Sequence, residues 1–132
     1  MAFEGLAVLI TGPSGSGKSD LALRLLDRGF RLVSDDQTIV KLDGHRLLAS
    51  PPPTIAGKLE IRGIGIVEVD NADDVPIALM VDLSADIERM PEEGRTRPIL
   101  GVDVPLVSLD AMTASAPSKV AVALDLLGLR FQ

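Results

Sequence analysis

Cysteine, tryptophan and tyrosine are absent from this chain, and three phenylalanines and one histidine are its whole supply of aromatic rings. Without cysteine there can be no disulfide, no thiolate nucleophile and no cysteine-rich zinc site, a composition suited to a reducing compartment and to a cytoplasmic protein. Scarce aromatics, a net charge of −6 and no basic stripe leave the stacking and phosphate-neutralising needs of nucleic-acid binding unmet. Met1 to Gly5 carry no charged leader, and the apolar run behind them is too short to cross a bilayer, so neither export nor membrane insertion is expected. At 132 residues the expectation is a single domain, residues 1–132, with ample Leu, Val and Ile for one core.

Glycine is well represented, and it is concentrated where it carries chemistry. Gly12-Pro13-Ser14-Gly15-Ser16-Gly17-Lys18-Ser19 fits the phosphate-binding pattern G-x-x-x-x-G-K-[ST] at every fixed position. Its glycines let backbone N–H groups turn inward to phosphate oxygens, the lysine reaches the outer phosphates, and the serine hydroxyl joins a Mg²⁺ shell. Leu6 to Thr11 reads as a buried strand feeding the loop. Asp20 to Arg28 reads as the helix whose N-terminus faces the anion, with Leu21, Ala22, Leu25 and Leu26 on one face and Gly29 as the stop. The cations Lys18, Arg24, Arg28, Arg31 and Arg62 all fall in or near the candidate phosphate segments.

Beyond that helix, Arg31 to Ser34 reads as a short strand ending at Asp35-Asp36. Thr38 to Leu42 and His45 to Ala49 flank the turn signal Asp43-Gly44 as a hairpin. Pro51-Pro52-Pro53 makes a stiff loop before Ile55 to Leu59, and Ile61 to Val69 has strand composition. Asp70 to Asp74 reads as a polar turn, Pro76 to Asp82 as a buried strand, Ala85 to Met90 as a helical turn, and Ile99 to Val107 as strands around Gly101-Val102-Asp103. Ser118 to Leu129 is a final amphipathic helix with Pro117 near its first turn. Strands outnumber helices around one phosphate loop, which predicts a mixed α/β sheet rather than an evenly alternating nucleotide fold.

Phosphoryl transfer is largely positioning and charge neutralisation, so the loop needs carboxylates for metal and for a proton, and cations for the transition state. Asp35-Asp36 directly follow an apolar strand, where one could hold metal and the other take a proton; the same pair would also serve as a plain cap for the next segment. Glu60 and Arg62 are two apart and on a strand would share a face, as a site pair or as a surface ion pair. Asp82 ends an apolar strand, a pattern shared by metal-binding carboxylates of phosphate-loop enzymes and by many ordinary strands. His45 follows a hairpin turn and reads as a turn residue.

Taken together, the phosphate loop, Arg28-Gly29-Phe30-Arg31-Leu32-Val33-Ser34-Asp35-Asp36 and Leu59-Glu60-Ile61-Arg62-Gly63-Ile64-Gly65-Ile66 resemble the catalytic C-terminal domain of the HPr kinase/phosphorylases in its short form without the N-terminal domain. Ile99 to Pro105 resembles a later strand of that family more loosely. The resemblance implies a PEP carboxykinase-like phosphate-loop architecture and a Mg²⁺- and ATP-dependent kinase that phosphorylates a serine of HPr, the phosphocarrier protein, assembled as a hexamer. It implies that Lys18 holds the outer phosphates, that Ser19 and Glu60 bind Mg²⁺, that Asp36 is the base, and that Arg89 lies near the transferred phosphate. The family's catalytic histidine lies upstream of any position in this chain, and His45 does not replace it. The late loop from Asp110 to Pro117 has no arginine where the family's dephosphorylation loop carries one, so the resemblance implies the forward kinase reaction more than the phosphorolytic reverse. The competing readings are a small-molecule phosphate-loop kinase and a nucleotide-sensing interaction module with little turnover.

Overall fold

The computed structural model describes residues 1–83 and 95–131. In chain order these form β1 (Ala2–Phe3), β2 (Leu6–Thr11), α1 (Lys18–Asp27), β3 (Ile39–Asp43), β4 (Arg46–Ser50), β5 (Lys58–Ile61), β6 (Gly65–Glu68), β7 (Val75–Asp82), β8 (Thr96–Ile99), β9 (Val102–Ser108) and α2 (Ala116–Leu127). Among the described residues, seven strands make one mixed sheet, while β5 and β6 pair only with each other. The expected mixed α/β sheet is therefore present.

The strand β7 organises this sheet because its sequence, VPIALMVD, is apolar almost throughout and so can be buried on both faces. One edge pairs in parallel with β2 from Ile77 to Asp82. The other edge is shared: Val75 and Pro76 pair antiparallel with β4, and Met80 to Asp82 pair in parallel with β9. Pro76 is tolerated because it stands next to the strand's start, where one missing donor interrupts little.

The register of β2 and β7 slips by one residue, from Ala7↔Ile77 to Val8↔Leu79, so Ala78 is a bulge. Side chains on either side of it serve two layers. Leu79 and Val81 join Val8, Leu21, Leu25, Val120 and Leu124 in the core beneath the two helices. Ile77 and Met80 join Ala7, Val33, Leu47 and Leu106 in the core on the opposite face. Leu79 is fully buried at the centre of the first layer, and Leu79→Ala should cost about 2–5 kcal/mol, read as a fall in the urea midpoint at unchanged slope.

Helix α1 ends as its sequence predicts. Gly29, at φ +92°, sends its N–H to the Leu26 carbonyl, and Phe30 sends its N–H to Leu25, the paired bonds of a Schellman stop. That stop turns Phe30 inward onto Phe3, with ring centroids 4.9 Å apart. Helix α2 buries Ala116, Pro117, Val120 and Leu124, and just beyond it the Leu129 N–H donates to the carbonyl of the bulge residue Ala78. No helix among the described residues is long and apolar enough to cross a membrane.

Four local expectations are revised. Arg31 and Leu32 make only isolated bridges, to Ala2 and to Asn71, because the chain turns at once into the Ser34–Gln37 bend instead of joining a ladder. The stretch 61–69 is the turn and second strand of a hairpin rather than one strand, since Gly63 and Gly65 at φ +87° and +123° reverse the chain there. The β8–β9 reversal uses Leu100 and Gly101, one step earlier than expected, so that Val102 and Asp103 are already paired. The last helix runs two residues earlier than expected at each end, and Pro117 is accepted there because the first helical turn has no partner for its missing N–H. The helical turn expected at Ala85 to Met90 lies outside the described residues.

Candidate active site

The parallel strands β2, β7 and β9 end level with one another, pairing Thr11 with Asp82 and Asp82 with Ser108. Beyond that edge residues 12–17 loop from β2 into α1, the place where an α/β sheet presents a ligand site. Gly12, Gly15 and Gly17 have φ of +158°, +82° and +95°. Space as well as dihedral angle demands two of them. A Cβ on Gly12 would lie 2.7 Å from the Ser16 hydroxyl and 3.1 Å from Leu83 Cβ, and one on Gly17 would lie 3.0 Å from Ala111 Cβ.

Such a loop at a helix N-terminus directs backbone donors and the positive end of the helix dipole at one point. Lys18 Nζ, at the start of α1, donates to the Gly12 carbonyl at 2.5 Å, folding the lysine back across the loop. Among the described residues, the buried Ser16 hydroxyl has no partner.

Beside the loop lies a cleft of about 310 Å³ whose lining includes Gly12, Lys18, Ser19, Ser34, Asp35 and Asp36. The sequence-predicted lysine, serine and paired aspartates, far apart in the chain, thus converge on one volume. Glu60 joins them indirectly: its backbone N–H donates to Asp35 Oδ2 at 3.0 Å, which fastens β5 to the cleft wall. Asp36 and Glu60 are themselves exposed. The Met1 amine, another group at the cleft, donates to the Val8 carbonyl at 3.2 Å, and burial pushes its pKa down to about 5.

Other candidates fall elsewhere. Glu60 and Arg62 do not share a strand face, because Arg62 is in the turn after β5. Asp82 stands beside Thr11 at the carboxyl edge, with Arg97 Nη2 3.7 Å from its Oδ2. His45 is exposed in the β3–β4 turn, as its position suggested. Arg89 lies outside the described residues. Among the described residues no three acidic or histidine side chains cluster as a metal cage.

Three of the cations that fall in or near the candidate phosphate segments are committed to the framework. Arg28 bonds the Ser118 hydroxyl at 2.9 Å and Arg31 bonds the Asn71 carbonyl. Arg24 donates to the carbonyls of Ala111 and Thr113 and pairs with Asp20 at 2.9 Å. Sequence reasoning missed this role, since nothing local in a helix signals a loop some ninety positions away. Through Arg24, the loop after β9 is held against the phosphate loop, where Ala111 and Met112 leave no room for a side chain at Gly17. Arg24→Met keeps the stem and removes the guanidinium, and it should lower stability by about 1–3 kcal/mol in urea unfolding.

Comparisons with known proteins converge on one family. The family model described as "HPr Serine kinase C-terminal domain" matches residues 1–124. The chain is 38% identical over 118 residues to the HPr kinase/phosphorylase of Chlorobium phaeobacteroides (strain BS1), covering 80% of this chain and 35% of that protein. It is 33% identical over 141 residues to the one from Lacticaseibacillus casei (strain BL23), covering 97% and 43% respectively. It therefore spans less than half the length of these curated relatives. The solved structure of the Hpr(Ser) kinase/phosphatase from Coxiella burnetii superimposes with a TM-score of 0.77 at 30% identity, over 92% of this chain and 87% of that one. A phosphate loop facing paired aspartates, on a sheet shared with that enzyme and in a sequence matched nearly throughout, leads to one assignment: the chain belongs to the HPr serine kinase C-terminal domain family.

Proposed function

We propose that this chain is an ATP-dependent protein serine kinase whose acceptor is an HPr-like phosphocarrier, acting in the cytoplasm and, on family resemblance, as a hexamer. The observation that carries this reading is the convergence of the glycine loop, Lys18 and the Asp35-Asp36 pair on one cleft. The loop N–H groups and Lys18 would hold the β and γ phosphates, with Gly12, Pro13, Ser14, Gly15, Ser16 and Gly17 supplying the cradle. Binding would draw Lys18 Nζ off the Gly12 carbonyl and onto phosphate, exchanging a neutral acceptor for a charged one.

Asp36 is exposed at the cleft and is proposed as the base. It would take the proton of the acceptor serine as the new Oγ–P bond forms and the bond from Pγ to the bridging oxygen of ADP breaks. Asp35 would be the anchor, since one of its oxygens already holds the Glu60 amide. Arg89 is proposed near the transferred phosphate on family resemblance.

The donors suit Mg²⁺ as it is used with nucleotides. They include a hydroxyl at the helix start and scattered carboxylates rather than an all-protein cage, and such an ion takes one or two protein ligands and completes its shell with phosphate and water. Ser19 and Glu60 would hold it. When bound, the ion supplies neutralisation of charge on the phosphate oxygens.

Incubating the chain with Mg²⁺, γ-labelled ATP and HPr, beside HPr whose acceptor serine is alanine, tests the reading. Label on the first protein alone is expected. ATP binding without label on either would overturn the kinase assignment and favour a nucleotide-sensing module.

A further inference from the structure

The hairpin that carries Glu60 has two different faces. Its register pairs Lys58 with Glu68, Leu59 with Val67 and Glu60 with Ile66. Directly opposed residues of an antiparallel pair point the same way, and neighbours along a strand alternate. Leu59 and Val67 therefore point inward, where Leu59 is fully buried in the core beneath α1. Glu60 and Ile66 point outward side by side. Ile66 is 70% exposed, and Ile64, in the adjoining turn, is 76% exposed.

The fold does not need either isoleucine. The inner face is already moored by Leu59, by the Val69 N–H on the Gly57 carbonyl at 2.8 Å, and by the Glu60 N–H on Asp35. The turn itself closes through its backbone, with the Ile64 N–H on the Ile61 carbonyl at 3.0 Å. Single exposed apolar residues are ordinary on a protein surface. Two large neighbouring ones, on a rigidly moored hairpin and directly beside a candidate site carboxylate, fit a contact surface better than a solvated face.

We infer that Ile64 and Ile66 form the ledge on which the acceptor protein rests an apolar patch while its serine enters the cleft. This rests on the kinase reading above. The occupant follows from continuity with the site. Ile66 is the cross-strand partner of Glu60, whose amide is bonded to Asp35 in the cleft wall. A macromolecule delivering a hydroxyl to Asp36 over that wall meets this face, whereas a small acceptor has no use for it. The ledge fixes where the acceptor sits and leaves the nucleotide alone, since neither isoleucine lines the phosphate cleft.

The test uses the full chain with the double substitution Ile64→Ser and Ile66→Ser. Affinity for HPr with its acceptor serine replaced by alanine is measured calorimetrically with Mg²⁺ and a non-hydrolysable ATP analogue present. The expected result is at least a roughly tenfold rise in Kd for HPr, with the analogue's affinity, the urea midpoint and the gel-filtration volume unchanged. A chain carrying Ile66→Leu alone should bind HPr nearly as the unaltered chain does. HPr affinity unchanged in the double variant overturns the ledge, and a simultaneous shift in gel-filtration volume would assign the face to contacts between copies of this chain. Transfer to HPr by the unaltered chain is scored in parallel. If it phosphorylates HPr while the double variant binds HPr normally, only the ledge falls; if it neither binds nor phosphorylates HPr, the kinase reading falls and the ledge with it.

Discussion

Lys18→Ala is expected to weaken ATP binding by about 10- to 100-fold, the value of one hydrogen bond between charged partners, and to abolish measurable transfer at ordinary ATP concentrations. The fold should tolerate the change. The lysine bonds the Gly12 carbonyl, a group at the open cleft that water can satisfy in its place. Isothermal titration with ATP, beside circular dichroism to verify folding, separates these effects. Lys18→Arg should recover little, because a planar guanidinium cannot follow the compact path that an ammonium takes over the loop. Unaltered ATP affinity in the alanine variant would mean that the loop does not hold phosphates.

Asp36→Asn is expected to behave in the opposite manner. Removing a proton acceptor while preserving shape should lower kcat by about 10²- to 10⁴-fold and leave ATP affinity within a small factor. Asp35 provides the contrast. An amide side chain in its place still has an oxygen to accept the Glu60 N–H, so Asp35→Asn should preserve the hairpin's anchorage, whereas Asp35→Ala should release it. Rates measured at saturating ATP for the three variants distinguish a base from an anchor. Equal losses in Asp36→Asn and Asp35→Asn would contradict the division of roles.

The strand, loop and helix around Lys18 were legible because each obeys a local rule: an apolar run, glycines where the backbone turns left-handed, and a 3.6-residue apolar stripe closed by Gly29. The same holds for the β3–β4 hairpin, signalled by Asp43-Gly44. What escaped depends on partners far along the chain. Arg31 and Leu32 have strand composition, yet only single bridges are available to them, so propensity had nothing to act on. Arg24 has the look of an exposed helix residue and serves as a clamp on residues 111 and 113, a role that exists only once α1 and the late loop meet. Glu60 was singled out for its spacing from Arg62, but it is tied to the site through a backbone amide bonded to Asp35, which no side-chain pattern encodes.

The bulge at Ala78 makes the run of β7 a matter of parity. Before it, odd positions such as Val75 and Ile77 face the layer away from the helices; after it, odd positions such as Leu79 and Val81 lie under them. Were Ala78 drawn into the ladder as an ordinary rung, strict alternation from Val75 would turn Leu79 and Val81 to the far layer and Asp82 toward the oil beneath α1. Slippage into that frame therefore carries its own penalty, a buried carboxylate, and the correct count is enforced at the strand's end rather than where the extra residue sits. The residue left outside the rungs is not idle either, for its carbonyl is what receives the Leu129 N–H. One miscounted step thus works as a coat-peg for the far end of the chain, hanging the segment behind α2 on the middle of the sheet.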